Sequence, residues 1–532
     1  MAFGKSGSIN PQSHPYSASP ILSLTHLNSN ATLIHYSYTR KFMGLILRRI
    51  RKNLLPLLFL CIATFSVLLT VSWAKPAQAI EAKPYEALTF PALGDIVIPD
   101  YERYELANGL VVYLMEDHDL PLVSGSATFR TGGYLVPAEK TGLAGITGQA
   151  MRLGGTLNHP PEVLNEILEQ KAASVESSIG GTNGSASFSS LTEDLETVFD
   201  LFAEVITQPA FDQTQFDLIK SRSAGGIARR NDDADDIVGR EFRKLVYGAQ
   251  SPYARTVEYA NLDGISRDDV VSFYEATLTP ANTILGIVGD FDPATMKAQI
   301  ERTLGQWQSV GVADLPAPPE GEQQAAGLYV VDQPQLTQSY VHVGHIGDEL
   351  SSPYHAPMVV LNEVLNGFGG RLFNEIRSRQ GLAYSVYAVW SPRYDHNGLF
   401  IGGGQTRSEA TVPFIQSMYK EIERVRTEPV SETEIAFAKD SVLNSFVFNF
   451  QTPGQTLSRL IRYEFYDYPQ DFVFQYRDRV ESATAQEVLA AAQATLTPEK
   501  LVTVVVGNTA DIQPGLEALG MPITALDVTI PE

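Results

Sequence analysis

Beyond residue 79 the chain carries six histidines, His118, His159, His342, His345, His355 and His396, and only His342-x-x-His345 brings two of them close in sequence. Imidazole is the commonest zinc ligand, but chelation from one backbone element needs both rings on one face. The run 340–344 reads as a strand, where residues three apart point to opposite sides, so the pair reads as ordinary strand and loop histidines. Asp232-Asp233 and Asp235-Asp236 are acidic enough for calcium but lack the spaced ligand loop, and a solvated turn is expected there. No Gly-x-Ser-x-Gly elbow, Cys–His pair or Gly-Lys-Ser/Thr phosphate loop is present. The run Gly367-Phe368-Gly369-Gly370 precedes a helix, yet without a lysine or a preceding strand-helix unit it makes a poor phosphate cradle.

The elements around these residues occur twice. Ala-Thr-Leu-Thr-Pro stands at 276–280 and again at 494–498, and residues 265–290 read against 483–508 at an offset of 218: short helix, Thr-Pro turn, apolar strand, Val-Gly. A period this long is no solenoid and implies two copies of one large α+β domain. Asn108-Gly109 and Asn183-Gly184 mark hairpins, and Asp395 to Gly398 a third connection between strands. Ser190-x-x-Glu193 and Ser431-x-x-Glu434 read as capping boxes before helices. Helices are expected at 142–153 and 371–379, the latter stopped by Gly381. The expected boundaries are a first domain at 95–309, a Pro/Gly/Ala-rich linker at 310–327 and a second domain at 328–520.

Residues 1–79 stand apart. Arg48, Arg49, Arg51 and Lys52 precede an apolar run over 54–73 and then Ala77-Gln78-Ala79, the order of a secretory signal peptide, with an uncleaved membrane anchor as the alternative. Extracytoplasmic placement, in a periplasm or an equivalent lumen, follows as an expectation. The single cysteine, Cys61, lies inside that run, so a trimmed chain has no disulfide. Loss of the eight Lys/Arg before Ile80 moves the net charge from −22 to −30. Such a chain is a poor nucleic-acid ligand, and membrane association is expected only if the leader stays.

Taken together, the Gly142-Leu143-Ala144 to Gly155-Thr156 helix, the stretch Thr279-Pro280 to Val288-Gly289-Asp290, and residues 338–347, 361–372, 381–387 and 430–450 resemble the pitrilysin/insulinase family of zinc peptidases, which includes the mitochondrial processing peptidase. The resemblance runs over roughly residues 95–515 and implies two tandem domains, each an antiparallel-rich mixed sheet with helices, forming one half of a clamshell. Active members carry His-x-x-Glu-His on the early helix. Here the register from Gly142 puts Gly145, Gly148 and Gln149 on those positions, and the register back from Gly155 puts Ile146, Gln149 and Ala150 there. The family's distal zinc-binding Glu falls at Gly226. None of these can bind the metal, so the resemblance implies no cofactor on this chain and zinc on a related partner subunit.

One pair does match the family's pattern: Arg377 and Tyr384, seven apart, correspond to the Arg and Tyr that hydrogen-bond a substrate carbonyl as it becomes an oxyanion. A planar fixed charge and a neutral hydroxyl donor both suit that task. The competing reading pairs Arg377 with Glu375 or Glu363 and leaves Tyr384 to pack. The resemblance also implies close backbone packing or peptide contact at Gly367, Phe368, Gly369 and Gly370. The expected function is therefore a zinc-less subunit of a two-subunit metallopeptidase acting on extended peptides. The alternative is a structural or peptide-binding subunit of an envelope complex.

Overall fold

The computed structural model describes residues 96–531, apart from 309–314, 322, 324–325 and 368. The leader of residues 1–79, most of the linker's first half and Phe368 lie outside the described residues. Twelve strands, β1 (Glu102–Glu105), β2 (Val111–Glu116), β3 (Leu122–Phe129), β4 (Ser174–Ile179), β5 (Gly184–Leu191), β6 (Thr283–Gly289), β7 (Gly327–Asp332), β8 (Gln338–Ile346), β9 (Ala383–Ser391), β10 (Leu399–Arg407), β11 (Val502–Gly507) and β12 (Ile523–Ala525), form two six-stranded sheets. The fold is α+β.

The sheets run β1-β2-β6-β3-β5-β4 and β12-β7-β11-β8-β10-β9. Five positions match in order and sense: β2 and β6 are parallel, as are β7 and β11, and the remaining ladders among these strands are antiparallel. Only the sixth place differs. β1 reaches it through the Asn108-Gly109 hairpin, and β12 arrives from the chain's end to lie parallel to β7. The repeat read from the sequence maps onto helix Arg267–Thr277 with β6 and helix Ala485–Thr495 with β11, each pair joined by a single 3-10 turn begun by the Thr-Pro proline.

Strands β6 and β11 are buried almost throughout, which explains their nearly continuous apolar sequences. One face of each is covered by its own half, the other by a helix of the opposite half. Helix Ala234–Tyr247 sets Ile237, Val238, Phe242 and Val246 against Val502, Val504 and Val506 of β11. Helix Pro453–Phe465 sets Leu457, Leu460, Ile461 and Phe465 against Tyr113, Met115 and Ile284. Gly286 leaves the room Ile461 needs, since a Cβ there would lie 2.2 Å from its Cδ1. Each half is thus completed by a helix from the other, and at ~25 cal/mol per Å² of apolar surface buried this exchange ties the two together.

Two local expectations fail. Ser190 forms no capping box: it belongs to β5, opposite Val123, and the helix Leu195–Thr207 starts after a 3-10 turn at Thr192–Asp194. The strand register turns Ser190 inward, which overrides the cap. The helix expected over 371–379 forms, but winds as a π-helix over Phe373–Arg379, with the Gln380 N–H reaching the Glu375 carbonyl at 3.1 Å. Ser431 and Glu434 do make the predicted box. Among the described residues no helix is long and apolar enough to cross a membrane.

Candidate functional site

The π-helical turn widens the backbone just where Arg377 leaves it, a local irregularity that occurs disproportionately at functional positions. Its guanidinium lies 4.7 Å from the centroid of the Tyr384 ring and 4.8 Å from that of Phe373. Between Arg377 and Tyr384 the chain reverses at Gly381, whose φ of +62° suits glycine. Tyr384 is the second residue of β9, falls at the register shift opposite Gln405/Thr406 and is 82% exposed. Bulges of this kind re-aim a side chain, here toward solvent.

Neither carboxylate considered as a partner of Arg377 is available. Glu375 pairs with Arg379 at 2.9 Å and takes a hydrogen bond from Gln380, and Glu363 accepts from the Ser441 hydroxyl at 2.7 Å. The turn is anchored upstream instead. Arg371, its side chain 7% exposed, donates through Nε and Nη2 to Glu434 at 2.7 and 3.0 Å. That bond, ahead of the contribution from Ser431, holds the Glu434 carboxyl down at about 2. A carboxyl depressed in the fold stabilises above its unfolded pKa, and the contribution fades as pH falls. Glu434→Gln is therefore expected to lower the urea midpoint at pH 7, with the deficit shrinking as pH falls from about 4.5 toward 2.

β9 lies at the sheet edge, but most of that edge is closed. Asn366 donates to the Ala388 carbonyl at 2.7 Å and accepts the Ala388 N–H at 2.9 Å. One turn earlier Asn362 does the same for Trp390, at 2.9 and 2.8 Å. The two-residue period puts Val386 on the same side, and no side chain takes its N–H or C=O among the described residues. The open stretch is the one beside Tyr384. Gly367 and Gly370 pack too tightly for any side chain, a Cβ falling 2.7 Å from the carbonyls of Glu363 and Leu365, whereas Gly369 has open space and a φ of +86°.

In the first half, helix Leu143–Leu153 carries the positions of the family's metal set. Gln149 is exposed and donates to the Gly145 carbonyl at 3.3 Å. A Cβ on Gly148 would lie 2.2 Å from the Ile179 nitrogen and 2.6 Å from the Ser178 carbonyl carbon, so the helix backbone rests directly on β4. Ser177 Oγ donates to the Gly148 carbonyl at 2.6 Å, and Arg152 Nε donates to the Val175 carbonyl at 2.7 Å. In the other register Ile146 and Ala150 are core residues. Gly226, on helix Gln213–Arg229, has nothing within 4 Å of a would-be Cβ. No donor stands at any of these places, and at Gly148 no side chain has room, so zinc does not fit here. Among the described residues no three His, Cys, Asp or Glu side chains assemble into a metal-holding group.

The remaining sequence candidates resolve as structural. His342 shares a 2.8 Å hydrogen bond with the Tyr387 hydroxyl, and His345 accepts from the Thr497 N–H at 3.1 Å. Burial pulls His342 down to about 4 and lowers His345, and it also brings His355 down to about 4. An imidazole held neutral in the fold stabilises above its unfolded value near 6.5 and costs stability below it. Stability is expected to decline as pH falls from about 6.5 toward 4, and His342→Gln should flatten part of that slope in urea titrations. Asp233 caps helix Ala234–Tyr247 and Asp235 accepts from Gln405 at 2.8 Å, which accounts for the acidic turn.

The insulinase (peptidase family M16) model matches residues 126–240, and the model described as the peptidase M16 inactive domain matches residues 264–442, which include Arg377 and Tyr384. The chain belongs to peptidase family M16. It is 22% identical to an uncharacterized zinc protease YmxG of Bacillus subtilis over 67% of this chain and 86% of that one. It is 21% identical to the non-peptidase homolog YmxG of Helicobacter pylori over 70% and 86%. In structure it resembles a peptidase M16 inactive domain from Pseudomonas fluorescens, with TM-score 0.69 and 22% identity over 77% of this chain and 98% of that one. It also resembles the periplasmic protease PqqL of Escherichia coli, with TM-score 0.64 and 16% identity over 81% and 49%. Within this M16 fold, sequence reasoning missed Phe373 and the edge-capping Asn362 and Asn366. Two asparagines four apart on the largely apolar helix His355–Asn366 were the available signal.

Proposed function

We propose that this chain is the zinc-less subunit of a two-subunit extracytoplasmic metallopeptidase, and that it lends Arg377 and Tyr384 to a cleft completed by a related zinc-bearing subunit. The observation carrying this reading is the juxtaposition of a guanidinium that has no carboxylate partner among the described residues and an exposed phenol, 4.7 Å from ring to guanidinium, beside the open stretch of β9. Two donors of this kind stabilise charge developing on a carbonyl oxygen, and the short free edge can take an extended peptide by strand addition. The zinc and the base are assigned to the partner because the positions here are glycines and a glutamine. The leader of residues 1–79 and the relative described as a periplasmic protease support placement beyond the cytoplasm.

The test is chelator-sensitive peptide hydrolysis by the tagged protein drawn gently from its host envelope, with the lone chain assayed in parallel. Hydrolysis only in the host-derived sample is expected. Hydrolysis in neither would leave a structural or peptide-binding subunit, in keeping with the non-peptidase name of the Helicobacter relative.

A further inference from the structure

Arg377 faces Tyr384 because the chain between them is wound and reversed in one particular way, and the bonds that fix this winding converge on Gln380. An α-helix would send the Gln380 N–H to the Ile376 carbonyl. That carbonyl is taken by the Leu382 N–H at 3.0 Å, and the Gln380 N–H goes instead to the Glu375 carbonyl at 3.1 Å, the π-type bond. The strand side holds the displaced chain as well. The hydroxyl of Thr406, a residue only 2% exposed, donates to the Leu382 carbonyl at 2.6 Å.

The Gln380 side chain closes the same turn a second time. Its Nε2 donates to Glu375 Oε1 at 3.0 Å, and its Oε1 accepts from the Ser417 hydroxyl at 3.0 Å. The amide sits this way round because a carboxylate accepts and does not donate, so Nε2 faces Glu375 and Oε1 is left for the hydroxyl. Ser417 lies on helix Thr411–Thr427 and is buried, which makes it a fixed post. Backbone and side chain of one residue thus both reach Glu375 and tie the turn to a packed helix. Such winding is rare and persists where the surrounding bonds over-determine it.

We infer that Gln380 is a positioning residue, which holds the π turn against helix Thr411–Thr427 and so keeps Arg377 directed at Tyr384. The inference rests on the proposed reading of that pair as the donors to a carbonyl oxygen, and it names what keeps the pair assembled. Without the amide the turn relaxes toward α winding, which carries Arg377 around the helix axis and away from the ring.

The test uses the host-derived complex and, beside it, the lone chain. Gln380→Met keeps the length of the side chain and removes both amide bonds. In the complex it is expected to lower kcat about three- to ten-fold with KM unchanged, the range over which losing one or two hydrogen bonds moves such an equilibrium. Gln380→Glu should act alike, because it sets a second carboxylate against Glu375. Exchanging the two, Glu375→Gln with Gln380→Glu, again faces a donor with an acceptor, keeps the Ser417 bond and gives up only an ion pair to the exposed Arg379. The exchange is expected to bring kcat back close to its starting value. In the lone chain, nitroxides on Arg377→Cys and Tyr384→Cys in a Cys61→Ser background, where they occupy the only thiols, report the turn's backbone through their dipolar broadening. That broadening should fall with Gln380→Met and return with the exchange. Hydrolysis indifferent to Arg377→Ala, or no hydrolysis in the complex, removes the proposed function and this inference together. A kcat lowered by Arg377→Ala but not by Gln380→Met, a loss the exchange fails to restore, or broadening indifferent to Gln380 would each overturn the positioning role and leave the proposed function standing.

Discussion

Gly148→Ala is expected to destabilise the protein by about 1–3 kcal/mol, the usual cost of forcing extra volume into a packed contact. The sign is what makes the experiment informative. A glycine inside a helix normally gives up to ~1 kcal/mol when replaced by alanine, because alanine restricts the unfolded chain and favours the helix. Gly145, three residues earlier on the same helix, has only the Ile179 carbonyl oxygen, at 4.0 Å, near its would-be Cβ, and Gly226 has nothing. Gly145→Ala and Gly226→Ala should therefore be neutral or stabilising in urea melts, while Gly148→Ala, facing backbone at 2.2 Å, goes the other way. The near atoms belong to β4, so the strain cannot be relieved by a rotamer change. It follows that a graft of Gly145→His, Gly148→Glu and Gln149→His, even with Gly226→Glu, restores no hydrolysis by the lone chain, because the glutamate that would serve as the base has no space to enter. If Gly148→Ala melted like Gly145→Ala, the helix would not be seated on β4, and the first half's site would be merely stripped of ligands and open to repair.

That distinction marks where the sequence stops being informative. It shows that Gly145, Gly148, Gln149 and Gly226 offer no ligand, but a glycine looks alike whether it faces solvent or touches a strand. The duplication was legible because Thr-Pro punctuation and apolar strands at an offset of 218 demand equivalent local structure. The exchange of helices Ala234–Tyr247 and Pro453–Phe465 was not. An amphipathic stripe says that one face is buried and leaves open which half buries it. Ser190 satisfied a capping pattern and was claimed by strand register instead, a case of tertiary context overriding a local signal. The spacing of Arg377 and Tyr384 could be read directly, whereas the π-helical winding that turns one toward the other could not.

In the proposed two-subunit peptidase, Arg377→Ala is expected to lower kcat on the order of 10²–10³-fold with little change in KM, and Tyr384→Phe to lower it by about 10²-fold, as removal of one oxyanion donor does elsewhere. Loss in kcat alone follows from that proposal, in which the two donors meet an oxygen whose charge appears only in the transition state. With both side chains assigned to one oxygen, the double variant should lose far less than the product of the single losses. Arg377→Lys keeps the charge but not the planar donor pair, and should recover only part of the loss. Folding is a poor explanation for these effects. Both residues are exposed, and their mutual stacking contributes about 0.5–1 kcal/mol at such a site, so melting should shift little while turnover collapses. Phe373→Ala gives an independent reading. It removes the ring 4.8 Å from the Arg377 guanidinium without removing a donor, and should cost less turnover than Arg377→Ala. Full turnover in complexes carrying Arg377→Ala or Tyr384→Phe would sink the split-site reading and leave this chain a scaffold for the zinc-bearing partner.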